Sequence, residues 1–72
     1  EKIFTTAELA QYNGLNGQPA YVAVEGVVYD LSSVFSNGIH KGHLAGKDLT
    51  KDFDSIHSRS ILQKFPIVGI LK

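Results

Sequence analysis

The chain has 72 residues, no cysteine and a formal net charge of zero, and these facts exclude several classes of protein. A chain this short forms one small domain with a thin stability margin, which a cofactor bound only by the folded state would widen. Without cysteine, the chain has no disulfides, no thiolate metal site and no thioether-attached cofactor. Its basic residues are scattered among acidic ones, which argues against a nucleic-acid partner.

We predict a single domain over residues 1–72. No apolar run approaches the roughly 20 residues that span a bilayer, so we expect no membrane contact by this segment itself. We expect no signal peptide within this segment, whose first residue is Glu1. This start is compatible with a domain of a longer protein whose targeting or anchoring segment lies elsewhere, so the sequence assigns no compartment.

The chain begins with the pattern of a short helix. Thr5 precedes Glu8 by three residues, which forms a capping box and favours a helix from about residue 6 to residue 12. Asn13-Gly14 ends this helix, because glycine tolerates the left-handed conformation common just past a helix. Residues 13–19 contain two Asn/Gly pairs and a proline, and this composition predicts a loop.

A hairpin follows. The segments 20–24 and 27–30 are rich in β-branched and aromatic residues, and only Glu25-Gly26 separates them. A two-residue connection containing glycine is typical of a tight hairpin turn. Residues 31–35 then predict a short helical turn, which Ser36-Asn37-Gly38 breaks.

The second half of the chain predicts helices after an irregular stretch. Residues 38–47 carry three glycines and exclude a long regular element. Asp48 is the predicted N-cap of a helix over residues 49–56, whose apolar side chains share one face. A second short helix is predicted to begin at Ser58 or Ser60.

Residues 67–71 close the chain as a buried strand. The order of elements is therefore strands with a small helix, then helices, then a strand. This order favours an α+β fold, in which a small mixed β-sheet carries short helices grouped at one end.

Three histidines, His40, His43 and His57, lie in this glycine-rich half of the chain and are its strongest candidates for chemistry. Neutral imidazole is the commonest metal ligand, so one reading is a zinc site completed by Asp48 or Asp52. No zinc signature is present, however. A second reading, acid–base catalysis, lacks a nucleophile with a positioned base.

The third reading is haem ligation by two histidines. A haem is a wide apolar plate that needs an imidazole on each side of its iron and apolar side chains over both faces. His40 lies ahead of the predicted 49–56 helix and His57 just beyond it. The apolar residues near them either line such a slot or pack as an ordinary core: Leu31, Val34, Phe35, Leu44, Leu49, Phe53, Ile56, Ile61, Leu62 and Phe65.

Several short motifs occur together in a recognisable order. They include Pro-Ala-Tyr-Val-Ala-Val at 19–24, Gly-Val-Val-Tyr-Asp-Leu-Ser at 26–32, Ala-Gly-Lys-Asp-Leu-Thr at 45–50 and Ile-Val-Gly-Ile-Leu at 67–71. With these motifs the chain resembles the cytochrome b5-like haem/steroid-binding domain family over essentially its whole length. The Gly-x-His ahead of Ala-Gly-x-Asp is similar to the compact bacterial-type branch.

The resemblance implies a haem b held non-covalently between His40 and His57, with His43 as the alternative first ligand. It further implies that Ser58 donates to a haem propionate. Members of the family usually transfer single electrons, so we expect no enzyme activity. A redox partner protein, or a fused redox or membrane domain, would then exchange the electron. The alternative within the family is a haem- or small-ligand-binding module that acts in sensing or interaction.

Overall fold

The computed structural model describes residues 2–53 and 56–72, and the side chains of residues 56–58 lie outside that description. Within these ranges the chain forms short strands, short α-helices and single 3₁₀ turns. The strands are β1 (Lys2–Phe4), β2 (Tyr21–Val24), β3 (Val27–Asp30), β4 (Ile39–His40), β5 (His43–Leu44) and β6 (Ile67–Leu71). The α-helices are α1 (Thr6–Ala10) and α2 (Ile56–Ile61), and the 3₁₀ helices are Thr50–Phe53 and Leu62–Lys64.

Four strands form one mixed sheet in the order β1-β6-β3-β2, and β4 pairs with β5 separately. β1 runs parallel to β6, while β6, β3 and β2 pair antiparallel. The predicted α+β class and the mixed sheet are therefore confirmed. In the described part of the chain, no helix is both long enough and apolar enough to cross a membrane.

The sheet separates two hydrophobic clusters, because successive side chains of a strand point to opposite faces. In β2, Val22 and Val24 belong to one cluster, and Ala23 belongs to the other. We call the first the site cluster. Its buried members are Ala20, Val22, Val24, Leu31, Phe35, Ala45, Leu49 and Leu62. The second cluster contains buried Phe4, Leu9, Ala23 and Val28, with partly buried Tyr12, Tyr21, Val68 and Leu71 against them.

The two hairpins have tight turns of the same type. The predicted β2–β3 hairpin turns at Glu25 and Gly26, which have φ of 51° and 79°. The β4–β5 hairpin turns at Lys41 and Gly42, with φ of 50° and 84°. A two-residue turn with positive φ at both positions matches the right-handed twist of the flanking strands. The β4–β5 hairpin was not predicted, because strands of two residues leave no alternation to recognise.

Two Asp-Leu-Ser/Thr motifs, residues 30–32 and 48–50, fasten the β2–β3 hairpin. In each motif the aspartate Oδ1 accepts the backbone N–H two residues on at 3.0 Å and the hydroxyl of that residue at 2.5 Å. The serine hydroxyl then accepts the Ala20 N–H at 2.9 Å, and the threonine hydroxyl accepts the Glu25 N–H at 2.8 Å. The two motifs therefore hold the beginning and the turn of the hairpin.

The first helix is shorter than predicted. The capping box is confirmed, since Thr5 N–H donates to Glu8 Oε1 at 2.9 Å and Glu8 N–H donates to Thr5 Oγ1 at 3.1 Å. The helix ends at Ala10 rather than near residue 12. Gln11 N–H donates to Glu8 O, three residues back, so the last turn tightens before the loop.

The helical part of the second half is divided differently from the prediction. One helix over residues 49–56 was wrong: a 3₁₀ helix covers Thr50–Phe53, and Ile56 is the first residue of α2. The following helix begins at Ile56 rather than at Ser58 or Ser60, and it continues into the Leu62–Lys64 turn. β1 was missed, because three residues ahead of a capping box carry too little pattern to identify a strand.

Candidate cofactor site

The β4–β5 hairpin brings two of the three histidines together. His40 and His43 are direct partners across the antiparallel pair, so their side chains project from the same face of the hairpin. The base of the hairpin is held by the Ala45 N–H, which donates to the Gly38 carbonyl at 3.0 Å. The short sequence Gly-Ile-His-Lys-Gly-His therefore presents two imidazoles side by side.

The two imidazoles have different neighbours. The His40 ring lies 5.6 Å from the ring of Phe35, centroid to centroid, with 42° between their planes. Phe35 is buried in the site cluster, so His40 rests against the apolar interior. His43 Nδ1 lies 3.5 Å from Asp52 Oδ1, at a distance that forms an ion pair when the imidazole is protonated. His43 therefore faces a polar partner, and His40 an apolar one.

Both histidines line an open cavity of about 240 Å³. Its floor is apolar, and its charged groups gather on the side of the hairpin and the Thr50–Phe53 helix. Leu62 connects the cavity to the interior, because this residue is buried and also belongs to the site cluster. The lining residues are Leu31, Val34, His40, Lys41, His43, Asp52, Phe53, Ile61, Leu62 and Phe65.

Arg59 holds α2 in place beside this cavity. Its Nε donates to the Phe53 carbonyl at 2.6 Å, and its Nη2 lies 2.8 Å from Glu25 Oε1. One guanidinium thus joins α2 to the end of the Thr50–Phe53 helix and to the β2–β3 turn. The helix that carries His57 is fixed through this side chain.

Most of the predicted apolar wall lies at the cavity. Leu31, Val34, Phe53, Ile61, Leu62 and Phe65 line it. Phe35 and Leu49 lie behind it, buried in the site cluster. Leu44 departs from its predicted place: it follows His43 in β5, so its side chain points to the opposite face, where it is 47% exposed and borders another groove.

Three predicted site residues, Ile56, His57 and Ser58, lie in α2, but their side chains are outside the described part of the structure. Their roles as lining residue, second axial ligand and propionate donor stay predictions. Lys41 was not predicted as a site residue, although its position between two histidines on a two-residue turn is visible in the sequence. Asp52, considered before only as a zinc ligand, also lines the cavity.

The described residues do not support the hypothesis of a zinc site. Among them, no group of three or more His, Asp or Glu side chains is placed to hold a metal ion. The zinc set proposed from sequence includes His57, so it extends beyond the side chains that are described. What the structure does present is imidazole donors beside an apolar cavity, which suits a flat apolar cofactor with a metal at its centre.

These features define a class: a small α+β domain whose mixed sheet supports a histidine-bearing apolar cavity. The family model for the cytochrome b5-like haem/steroid-binding domain matches residues 5–72. The chain belongs to this family, and the membership supports haem binding in general terms.

Solved structures agree with this assignment. A cytochrome b5 domain protein from Hadesarchaea is 43% identical, with a TM-score of 0.92 over 100% of both chains. Another, from Methanococcoides burtonii, is 45% identical, with a TM-score of 0.90 over 99% of this chain and 97% of that one. The backbone and the sequence therefore point to the same family.

Curated relatives are longer than this chain. A cytochrome b5 from Borago officinalis is 39% identical over 66 residues, which cover 82% of this chain and 47% of that protein. A neuferricin homolog from Drosophila pseudoobscura is 36% identical over 56 residues, 74% of this chain and 20% of that protein. The chain thus spans about half the length of the first of these relatives and a fifth of the second.

Proposed function

We propose that this domain binds one haem b non-covalently and transfers single electrons. The observation that carries the proposal is the pair of imidazoles that open into an apolar cavity, in a chain of the cytochrome b5-like family. The absence of cysteine supports non-covalent binding, since no thioether can form. When bound, the haem supplies an iron that cycles between two oxidation states.

His40 is the proposed first axial ligand, and His57 the second. With both axial positions filled by imidazole, no position is left for oxygen or a substrate, so the domain carries electrons rather than converting a substrate. Its partner is then a redox protein or a fused redox or membrane domain. The residues around the cavity exclude water from the iron, and Ser58 donates to a propionate.

His43 is the alternative first ligand, and the structure supplies an argument for it. Histidines that ligate metals commonly donate their second ring N–H to a carboxylate, and His43 Nδ1 lies 3.5 Å from Asp52 Oδ1. The argument for His40 is the Phe35 ring 5.6 Å from its imidazole, which places His40 against a buried residue of the site cluster. Because the two residues are paired across one hairpin, each is the matched control for the other.

The test is a haem titration of the wild type and of His40→Ala, His43→Ala and His57→Ala, followed by absorbance spectra of both oxidation states. We expect a low-spin spectrum for the wild type and His43→Ala, and its loss in His40→Ala and His57→Ala. Loss in His43→Ala with retention in His40→Ala would reverse the assignment of the first ligand. Retention in all three variants would overturn histidine ligation.

Carbon monoxide separates electron transfer from the sensor or interaction module that the haem/steroid description of the family also allows. Two protein ligands leave no open position, so the reduced wild type should bind carbon monoxide slowly. Rapid binding would favour the ligand-binding module. A protein that develops no Soret band on titration would contradict haem binding altogether.

A further inference from the structure

The two hairpin turns carry a charged residue at a position that disfavours it. Glu25 and Lys41 each occupy the first central position of a two-residue turn, with φ of 51° and 50°. Glycine, asparagine and aspartate are favoured at this position, because other residues are strained in the left-handed conformation. Local turn chemistry therefore does not explain either side chain.

The side chain of Glu25 is explained by its partner. Its carboxylate lies 2.8 Å from Arg59 Nη2 and so helps to hold α2. Lys41 has no such partner among the described residues, where Glu25 pairs with Arg59, and His43 pairs with Asp52 when its imidazole is protonated. Its side chain instead lines the cavity, between the two histidines of the same hairpin.

The charged side chains around the cavity differ in whether another side chain already faces them. The Asp52 carboxylate lies 3.5 Å from His43 Nδ1, so it already faces another polar side chain of the site. Lys41 is the lysine or arginine that borders the cavity within the described part of the chain. The open edge near Lys41 therefore favours an anionic group on whatever occupies the apolar floor.

We propose that the ammonium group of Lys41 binds a carboxylate of the haem. The inference rests on the proposed function, and it places a propionate contact on the β4–β5 hairpin in addition to that expected from Ser58 on α2. The contact is exposed and screened by salt, so it contributes modestly to affinity. This ion pair accounts for a lysine at the strained turn position, just as the ion pair with Arg59 accounts for Glu25.

The test measures haem transfer from the loaded protein to excess apomyoglobin at low ionic strength. Lys41→Asn removes the charge and suits a positive φ, so the apoprotein should be at least as stable as the wild type. We expect haem loss to be between about twofold and fivefold faster, the range for an exposed ion pair. Lys41→Arg keeps the charge and should lose haem at the wild-type rate.

Two controls make the result specific. Lys47→Asn removes an equal charge from an exposed residue that borders the other groove, and it should leave the rate unchanged. Haem dimethyl ester lacks the carboxylates, so Lys41→Asn and wild type should release it at equal rates. A wild-type rate of haem loss from Lys41→Asn, or an equal acceleration with the ester, would overturn the inference alone. A wild type that binds no haem would overturn the proposed function and this inference with it.

Discussion

Arg59 and Phe53 are joined by a hydrogen bond of 2.6 Å from the guanidinium Nε to the backbone carbonyl oxygen. The bond connects the two residues that flank the segment 54–58, which contains His57. The same guanidinium pairs with Glu25 on the hairpin turn. A proposed iron ligand therefore lies in a short segment whose two ends are held together by one side chain.

Removing this side chain should destabilise the domain measurably. Arg59→Ala breaks a charge-assisted hydrogen bond and an exposed ion pair, so we expect a loss of about 1–2 kcal/mol in the free energy of unfolding. Glu25→Gln breaks only the ion pair and should cost below about 1 kcal/mol. Lys64→Ala, on the exposed turn after α2, is the control and should stay within about 0.5 kcal/mol. Urea unfolding of the apoproteins measures all three, and equal effects of Arg59→Ala and Lys64→Ala would contradict the role.

The two Asp-Leu-Ser/Thr motifs should differ in energetic weight despite their equal geometry. Ser32→Ala leaves the N–H of buried Ala20 without its acceptor, which costs about 1–3 kcal/mol. Thr50→Val removes the acceptor of the Glu25 N–H. This N–H lies on an exposed turn, so water can accept its hydrogen bond in place of the hydroxyl. We therefore expect Ser32→Ala to be the more destabilising substitution in chemical denaturation. A larger destabilisation by Thr50→Val would mean that the turn, and not the start of the hairpin, depends more on its Asp-Leu-Ser/Thr motif.

Gly69 is the one glycine of the chain without a positive φ, and a methyl group there should be poorly tolerated because there is no space for it. A Cβ there would come 2.8 Å from Phe4 Cε1 and closer still to the Lys2 carbonyl oxygen, both across the β1–β6 pairing. Overpacking of this kind costs about 1–3 kcal/mol. Gly17→Ala is the comparison: its φ is 83°, but nothing lies within 4 Å of the added carbon. Thermal unfolding should show the larger fall in Tm for Gly69→Ala, and a smaller fall than in Gly17→Ala would refute the steric argument.

Glu8 should make stability depend on pH below neutrality. The hydrogen bond from the Thr5 backbone N–H holds the pKa of the Glu8 carboxyl below its ordinary value of 4.5. A lowered folded-state pKa means that the stabilisation is complete above the ordinary value and is lost as the pH falls through the folded value. Glu8→Gln lacks this titration. The stability difference between wild type and Glu8→Gln should therefore shrink as the pH drops below about 5, and a difference independent of pH would contradict the assignment.

Local signals predicted the parts of the fold that local chemistry determines. The Thr5–Glu8 capping box and the Glu25-Gly26 turn each lie within a few residues, and both are confirmed. The boundaries in the second half failed, because tertiary contacts decide them. Arg59 reaches back six residues to Phe53, and no periodicity along the chain reveals such a bond.

The residue types of the site could be predicted from the sequence, but their spatial arrangement could not. The sequence named histidines and ten apolar residues, and six of those ten line the cavity: Leu31, Val34, Phe53, Ile61, Leu62 and Phe65. Their contact with a haem stays a prediction. The pairing of His40 with His43 follows from a hairpin too short to read from alternation. The position of Leu44 away from this cavity could not be predicted for the same reason, since the register of that hairpin decides its face.

The alternation of β2 between two hydrophobic clusters has a consequence for how this domain tolerates change. Val22 and Val24 pack on the side of the cavity, whereas Tyr21 and Ala23 pack on the other side. Neighbouring residues of one strand thus pack into separate hydrophobic clusters. A library that varies only the even-numbered pair can reshape the cofactor's surroundings, while the odd-numbered pair keeps the opposite half of the molecule assembled.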